Sequence, residues 1–140
     1  MLIRRILPLF GLVLCSAMFA QQKEIKHVPI KSTSLTSGQE MYATYCAVCH
    51  GYDGKGGGPA ADALKVPPPD LTTLARKNGG KYPSDHVMNA IQGDLHLPAH
   101  GSKEMPVWGK LFWHISQGHS SEVQLRVANL NKYIESLQAK

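Results

Sequence analysis

Gly38-Gln39-Glu40-Met41-Tyr42-Ala43-Thr44-Tyr45-Cys46-Ala47-Val48-Cys49-His50-Gly51 carries two of the chain's three cysteines and the most regular apolar spacing in its first half. Gly38, Met41, Tyr42, Tyr45 and Cys49 recur at three- and four-residue steps, as on one face of a helix. Ser37 with Glu40 makes a capping-box pattern at its start, and Thr36 with Gln39 makes an equally good one a residue earlier. The spacing predicts a short helix that runs directly into the cysteine pair. On such a helix Cys46 and Cys49 project from one face about one turn apart, and His50 lies one turn on from Cys46. Two thiols so placed can each add to one vinyl group of a haem while the imidazole reaches the iron. The C-x-x-C-H run is therefore read as covalent attachment of one haem c at Cys46 and Cys49, with His50 as an axial ligand of the iron.

Other uses of two cysteines fit the surroundings less well. A zinc site needs four ligands, and without a second C-x-x-C the histidines would have to complete it. A thioredoxin-like redox pair needs a βαβ context, which the chain lacks. A plain disulfide leaves His50 unexplained.

Downstream, Gly51 to Pro59 is a glycine-rich loop and Pro67-Pro68-Pro69 argues against a regular element. Its glycines match no phosphate-loop spacing and follow no strand, which excludes nucleotide binding on this motif. Asp70 is expected to cap a short helix with Leu71, Leu74 and Ala75 inward, ended at Asn78-Gly79-Gly80. Ser84 is expected to cap another, with Val87, Met88 and Ile91 at helical spacing and Gly93 as its stop. Residues 94–119 read as irregular, with Pro98, Pro106 and four histidines. Ser121 with Gln124 then makes a capping box, and Val123, Val127, Leu130, Ile134 and Leu137 form one apolar stripe.

Upstream, Arg4 and Arg5 precede an uncharged run from Ile6 to Ala20 that ends in small residues before Gln21-Gln22. This reads as a secretory signal peptide over 1–20, cut after Ala20 or, as second choice, after Ala17; the alternative is an uncleaved membrane anchor. A lipidated Cys15 is disfavoured because Leu14 before it is not small. Residues 21–34 read as a flexible leader and 35–140 as a single domain. Loss of the signal takes Lys plus Arg from 15 to 13 against 10 acidic residues, a mature net charge of +3. With no basic run, nucleic acid is excluded as a partner. The same cut removes Cys15 and leaves Cys46 and Cys49 as the mature cysteines, apt for an oxidising compartment.

With these residues in view the chain resembles the class I cytochromes c, in the manner of their small bacterial periplasmic members, over roughly residues 35–138. The resemblance implies an all-α fold of three to five short helices wrapped around the haem. Gly38 would let the first and last helices cross closely, Tyr42 would pack at the crossing, and Val127, Leu130, Tyr133 and Ile134 would form the answering face. Pro69-Asp70-Leu71 is similar to the family's Pro-x-Leu, whose proline carbonyl accepts a hydrogen bond from the haem histidine and whose leucine packs on the ring. Pro59, Pro67 and Pro68 compete for the proline's role. The loop GYDGKGGGPAA is also like that of the periplasmic members.

For the second axial ligand the resemblance points to Met105, in the run Met105-Pro106-Val107-Trp108-Gly109. Met41 is badly placed to reach the opposite face of the haem, and Met88 fits the core. His96, His100, His114 and His119 are the competitors. Trp108 is a candidate haem contact, through its indole N–H and a propionate, with Arg76 or Lys81 as a partner for the other propionate.

The implied function is one-electron transfer outside the cytoplasm, in the periplasm, between redox protein partners such as an oxidase, a reductase or a dehydrogenase, without enzymatic activity. Membrane association enters only with a retained or lipidated N-terminus. Lys55, Lys65, Lys103 and Lys110 would surround the haem edge and steer an acidic partner. The rival class is a haem enzyme or ligand sensor with a displaceable sixth ligand. N-terminal sequencing of the exported protein should begin at Gln21; a start at Met1 or at a lipidated Cys15 would make the protein membrane-anchored instead.

Overall fold

The computed structural model describes residues 30–93 and 108–139. Among them the secondary structure is helical, with no strand: α1 (Gly38–Met41), a π-helical turn (Tyr42–Cys46), α2 (Ala47–His50), α3 (Leu74–Lys77), α4 (Ser84–Gln92), α5 (Trp108–Ile115) and α6 (Ser120–Ser136). Short 3₁₀ turns occupy Ala61–Ala63 and Leu71–Thr73. The all-α expectation is thus met.

α1, the π turn and α2 run on as one rod, but not as the uninterrupted α-helix that the spacing suggests. The N–H of Ala47 bonds back to the Tyr42 carbonyl, five residues away, so the rod carries one residue more than α-helical geometry would. Of the two expected capping boxes, Ser37 forms half: its side chain accepts the Glu40 N–H at 3.1 Å. The Glu40 carboxylate accepts the Ser34 N–H at 3.1 Å, not the Ser37 N–H.

The rod crosses α6 at Gly38. A Cβ there would lie 2.8 Å from the Tyr133 Cβ and closer still to the Asn129 carbonyl oxygen. Tyr42, 1 % exposed, fills the space beside the crossing, its ring centroid 5.2 Å from that of Tyr133. Met41, Tyr45, Ala47, Val87, Ile91, Phe112, Val127, Leu130 and Ile134 complete the buried core. The α6 stripe is as expected at Val127, Leu130 and Ile134, while Val123 and Leu137 are half-buried at its ends.

Several local expectations are corrected. Ser84 does not cap α4: Pro83 is the residue before its first turn, and the Ser84 hydroxyl accepts from Asn131 Nδ2 at 2.8 Å. Asn131, 6 % exposed, also accepts from the Tyr82 hydroxyl at 2.9 Å, so these polar groups join α4 to α6. Burial raises the Tyr82 hydroxyl well above its ordinary pKa, which keeps it a donor. α6 starts at Ser120 with His119 before it, and no Ser121 capping bond forms. Residues 94–119 are not irregular throughout, because α5 covers Trp108–Ile115. Gly109 admits α5 to α4, since a Cβ there would lie 2.7 Å from the Gln92 carbonyl oxygen.

The packed structure also begins before Leu35. Thr33 is 6 % exposed, and the Tyr45 hydroxyl donates to the Lys31 carbonyl at 2.6 Å, so the end of the expected leader is bound to the domain. Among the described residues no helix is long and apolar enough to cross a membrane. Gly38→Ala should cost about 1–3 kcal/mol, because the clash is with backbone that cannot rotate away; denaturant unfolding of the variant and the parent measures the loss.

Candidate functional site

α2 ends at His50, and its last carbonyls need partners. The glycine-rich loop supplies them. The N–H groups of Gly51, Gly56, Gly58 and Ala60 donate to the carbonyls of Ala47, His50, Cys49 and Val48 at 2.8–3.0 Å. So tight a wrap leaves no room for a side chain at Gly58, where a Cβ would lie 2.5 Å from the Ala47 and Val48 carbonyl oxygens. The role of this loop is to cap the helix that carries the C-x-x-C-H run. The Tyr42 hydroxyl adds a bond to the Gly51 carbonyl at 2.8 Å, and burial raises its pKa well above the ordinary value.

From this loop the chain is handed to the Pro69-Asp70-Leu71 turn, where the Leu71 N–H donates to the Gly54 carbonyl at 2.7 Å. Asp70 caps the turn as expected. The Thr72 hydroxyl and N–H donate to Asp70 Oδ1 at 2.6 and 2.8 Å. Those bonds, with the nearby charges of Lys77 and Lys55, hold the carboxyl below its usual range. The far end of α6 locks the same turn. Gln138 Nε2 donates to the Leu71 carbonyl at 2.7 Å, Gln138 Oε1 accepts the Ala75 N–H at 2.8 Å, and the Ala139 N–H donates to Thr72. The turn is thus fixed from two directions, and His50 Nδ1–H donates to the Pro69 carbonyl oxygen at 3.2 Å. A carbonyl can only accept, so the bond assigns the proton to Nδ1 and makes Nε2 the ring nitrogen that carries the lone pair.

These elements enclose a cavity of about 450 Å³, in the range of cofactor sites. Cys46, Cys49 and His50 line one side of it together with Pro69, Leu71 and Leu74. Val87, Ala90 and Ile91 of α4, Ile134 of α6, Tyr45 and Trp108 line the rest, with Leu64, Val66, Pro67 and Pro68. Tyr45 and Trp108 pack ring to ring, their centroids 5.3 Å apart. Cys46 and Cys49 are half-buried free thiols. Burial first, and the neighbouring Cys49 second, push the Cys46 thiol up to about 12, so it stays neutral in its apolar surroundings.

The cavity therefore gathers Cys46, Cys49, His50, Pro69, Leu71 and Trp108 from three separate stretches of sequence. Met105, His96, His100 and Lys103 lie outside the described residues. Met41 is fully buried beneath α6 and Met88 packs against the core, so neither is on the cavity wall. Arg76 and Lys81 are exposed and off the wall, whereas Lys77 and His86, which the sequence reading missed, line it. His86 was in reach of that reading, because it precedes Val87 on the face of α4 that also carries Ala90. Lys55 and Lys65 are exposed in loops, whereas Lys110 is on α5. No group of three His, Cys, Asp or Glu side chains among the described residues could hold a metal ion, so the zinc alternative finds no ligand set there.

An all-helical domain with two thiols and an imidazole on one wall of an apolar cavity defines a class of small proteins built around a covalently held macrocycle. The chain belongs to the cytochrome c family, whose model matches residues 35–138. The family carries haem c with its iron, and its activity is haem-based electron transfer; its members are generally carriers and typically extracytoplasmic. Comparison with curated proteins and with solved structures finds no match. The residues present fit the cofactor: the walls are apolar, the thiols and imidazole face the same space, and the histidine is held in the tautomer that can ligate.

Asp70→Ala should destabilise the protein by about 1 kcal/mol at neutral pH, as the loss of a helix cap does. The carboxyl is held low in the folded protein, so its charge-linked share is present above the unfolded Asp value near 4 and lost as pH falls through the lower folded one. Unfolding curves of parent and variant should therefore draw together on acidification; a gap that stays constant would deny the carboxylate that role.

Proposed function

We propose that the chain is an exported, periplasmic one-electron carrier that holds a single haem c through Cys46 and Cys49 and passes electrons between protein partners. The observation that carries this reading is the His50–Pro69 bond beside two half-buried thiols on one apolar cavity. Signal cleavage after Ala20, a mature domain whose packed part takes in Lys31 and Thr33, and Met105 as the second ligand of the iron belong to the same proposal. When bound, the cofactor supplies the one-electron couple of its iron.

The protein's own residues do the rest. Cys46 and Cys49 would hold the haem by thioether bonds, which would fix it against loss. His50 would offer Nε2 to the iron, and its bond to the Pro69 carbonyl restrains ring rotation and would make the imidazole a stronger donor. Leu71, Val87 and Ile91 exclude water from the pocket, which keeps its dielectric low. Val48 and Val66 are about half exposed where they meet the cavity and give a partner protein an apolar approach. A thioether from Met105 would favour the reduced iron, as suits a carrier and not an enzyme.

Mass spectrometry of the mature protein should show one added haem, and a Cys46→Ser, Cys49→Ser double variant should lack it and accumulate poorly. Met105→Ala should lower the midpoint potential and let carbon monoxide bind where it did not before. Met88→Leu, of similar volume, should change neither. If Met105→Ala keeps its potential while His100→Ala loses it, the sixth ligand is the histidine and the rival class of ligand-binding haem proteins takes over.

A further inference from the structure

Arg126 of α6 is 4 % exposed, and every partner it has is neutral. Its Nε donates to Ser116 Oγ at 3.2 Å. Its Nη1 donates to the Thr33 carbonyl at 3.0 Å and to Thr33 Oγ1 at 3.2 Å, with Met41 Sδ at 3.9 Å. Among the described residues no carboxylate pairs with it. A guanidinium stays charged at any accessible pH, and a buried charge without a counter-ion is costly compared with an apolar side chain of the same size. A structural bolt between the N-terminal segment and α6 does not need that charge.

The hydrogen bonds leading away from Arg126 have one direction. The Tyr45 hydroxyl has a single proton, and it goes to the Lys31 carbonyl at 2.6 Å. Tyr45 must then accept from the Thr33 hydroxyl, 3.0 Å away, and Thr33 Oγ1 in turn accepts from Arg126. The string Arg126, Thr33, Tyr45 is therefore polarised from the cation outward, each bond strengthening the next. It passes through a phenol whose ring lines the cavity beside Trp108 and ends on the Lys31 carbonyl.

We infer that Arg126 is a positioning residue for electron transfer that raises the reduction potential of the haem by its standing charge, conveyed to the cavity wall through Thr33 and Tyr45. The inference rests on the reading above that the haem occupies this cavity. Reduction removes one positive charge from the iron, so a fixed cation nearby favours the reduced state, and a buried cation is weakly screened. Withdrawal of electron density from the Tyr45 oxygen makes the adjoining wall more positive in the same sense.

Spectroelectrochemical titration of the purified haem-loaded protein, set beside its thermal melting, tests this. Arg126→Met should shift the midpoint potential downward. Ser116→Asp, which places a carboxylate beside Nε and neutralises the cation where it stands, should shift it downward as well. Arg126→Lys keeps the charge and loses bonds, so it should melt earlier yet hold its midpoint near the parent value. Unmoved midpoints in both Arg126→Met and Ser116→Asp, or a fall in Arg126→Lys as large as in Arg126→Met, would overturn the role. If Arg126→Met yields no folded protein, the sign of the Ser116→Asp shift decides. Haem loading is read independently from covalent haem absorbance and mass: a chain without haem refutes the cavity assignment, and a loaded chain with an unmoved midpoint refutes only the role of Arg126.

Discussion

Backbone meets backbone where Gly38 passes the carbonyl of Asn129, and the remaining architecture is arranged around that approach. Two helices can come so near only if one lacks a side chain at the contact, and once they do, the large groups on either side have fixed places. Tyr42 stacks near Tyr133, Met41 is sealed beneath α6, and Tyr45 is turned toward Trp108 and Phe112. The far end of α6 is then in position for Gln138 to reach the turn at Leu71. A small domain with a modest core gains from this economy, since one crossing orients both the packing face of the rod and the residues of α6 that reach the cavity.

The cavity wall nearest His50 is built from loops, which are ordinarily the variable parts of a protein. Here they are held by main-chain bonds. The glycine-rich loop satisfies the carbonyls at the end of α2, Gly54 takes the Leu71 N–H, and Thr72 and Ala139 join at the other side. Because the partners are backbone groups, side chains of this loop that point to solvent, such as Tyr52 and Lys55, are left free to vary without loosening the wall.

The parts of this arrangement legible in the sequence were those with a short-range rule. Cys46, Cys49 and His50 are fixed by spacing, the α6 stripe by periodicity, the Asp70 cap by side-chain chemistry and the Gly93 stop by its left-handed backbone. Long-range polar contacts were not legible. Arg126 lies beside Val127 on the buried side of α6, yet a count of apolar residues passes over it, and its partners Thr33 and Ser116 are 93 and 10 residues away. Ser84 and Ser121 carry the right residue type for caps, but Asn131 takes the first, and α6 begins two residues too early for the second. α5 was lost because its eight residues include a glycine and follow a proline-bearing stretch, which together mimic a loop. Lys77 reaches the cavity through tertiary placement that no local pattern records.

The π turn at Tyr42–Cys46 has a consequence of a different kind. It is a one-residue surplus in an otherwise α-helical rod, and each residue of an α-helix rotates the chain by about 100°. Without the surplus, the half that meets α6 and the half that bears the cysteines and histidine would differ in azimuth by that amount, and Cys46, Cys49 and His50 would face away from the space they now share. The rod thus behaves as two helices with separate orientations, joined by a built-in angular offset. The spacing within Cys46–His50 and the spacing from Gly38 to Tyr42 can each be read alone, but the distance between the two sets carries its own information: a single deletion there would leave both motifs intact and still misalign them.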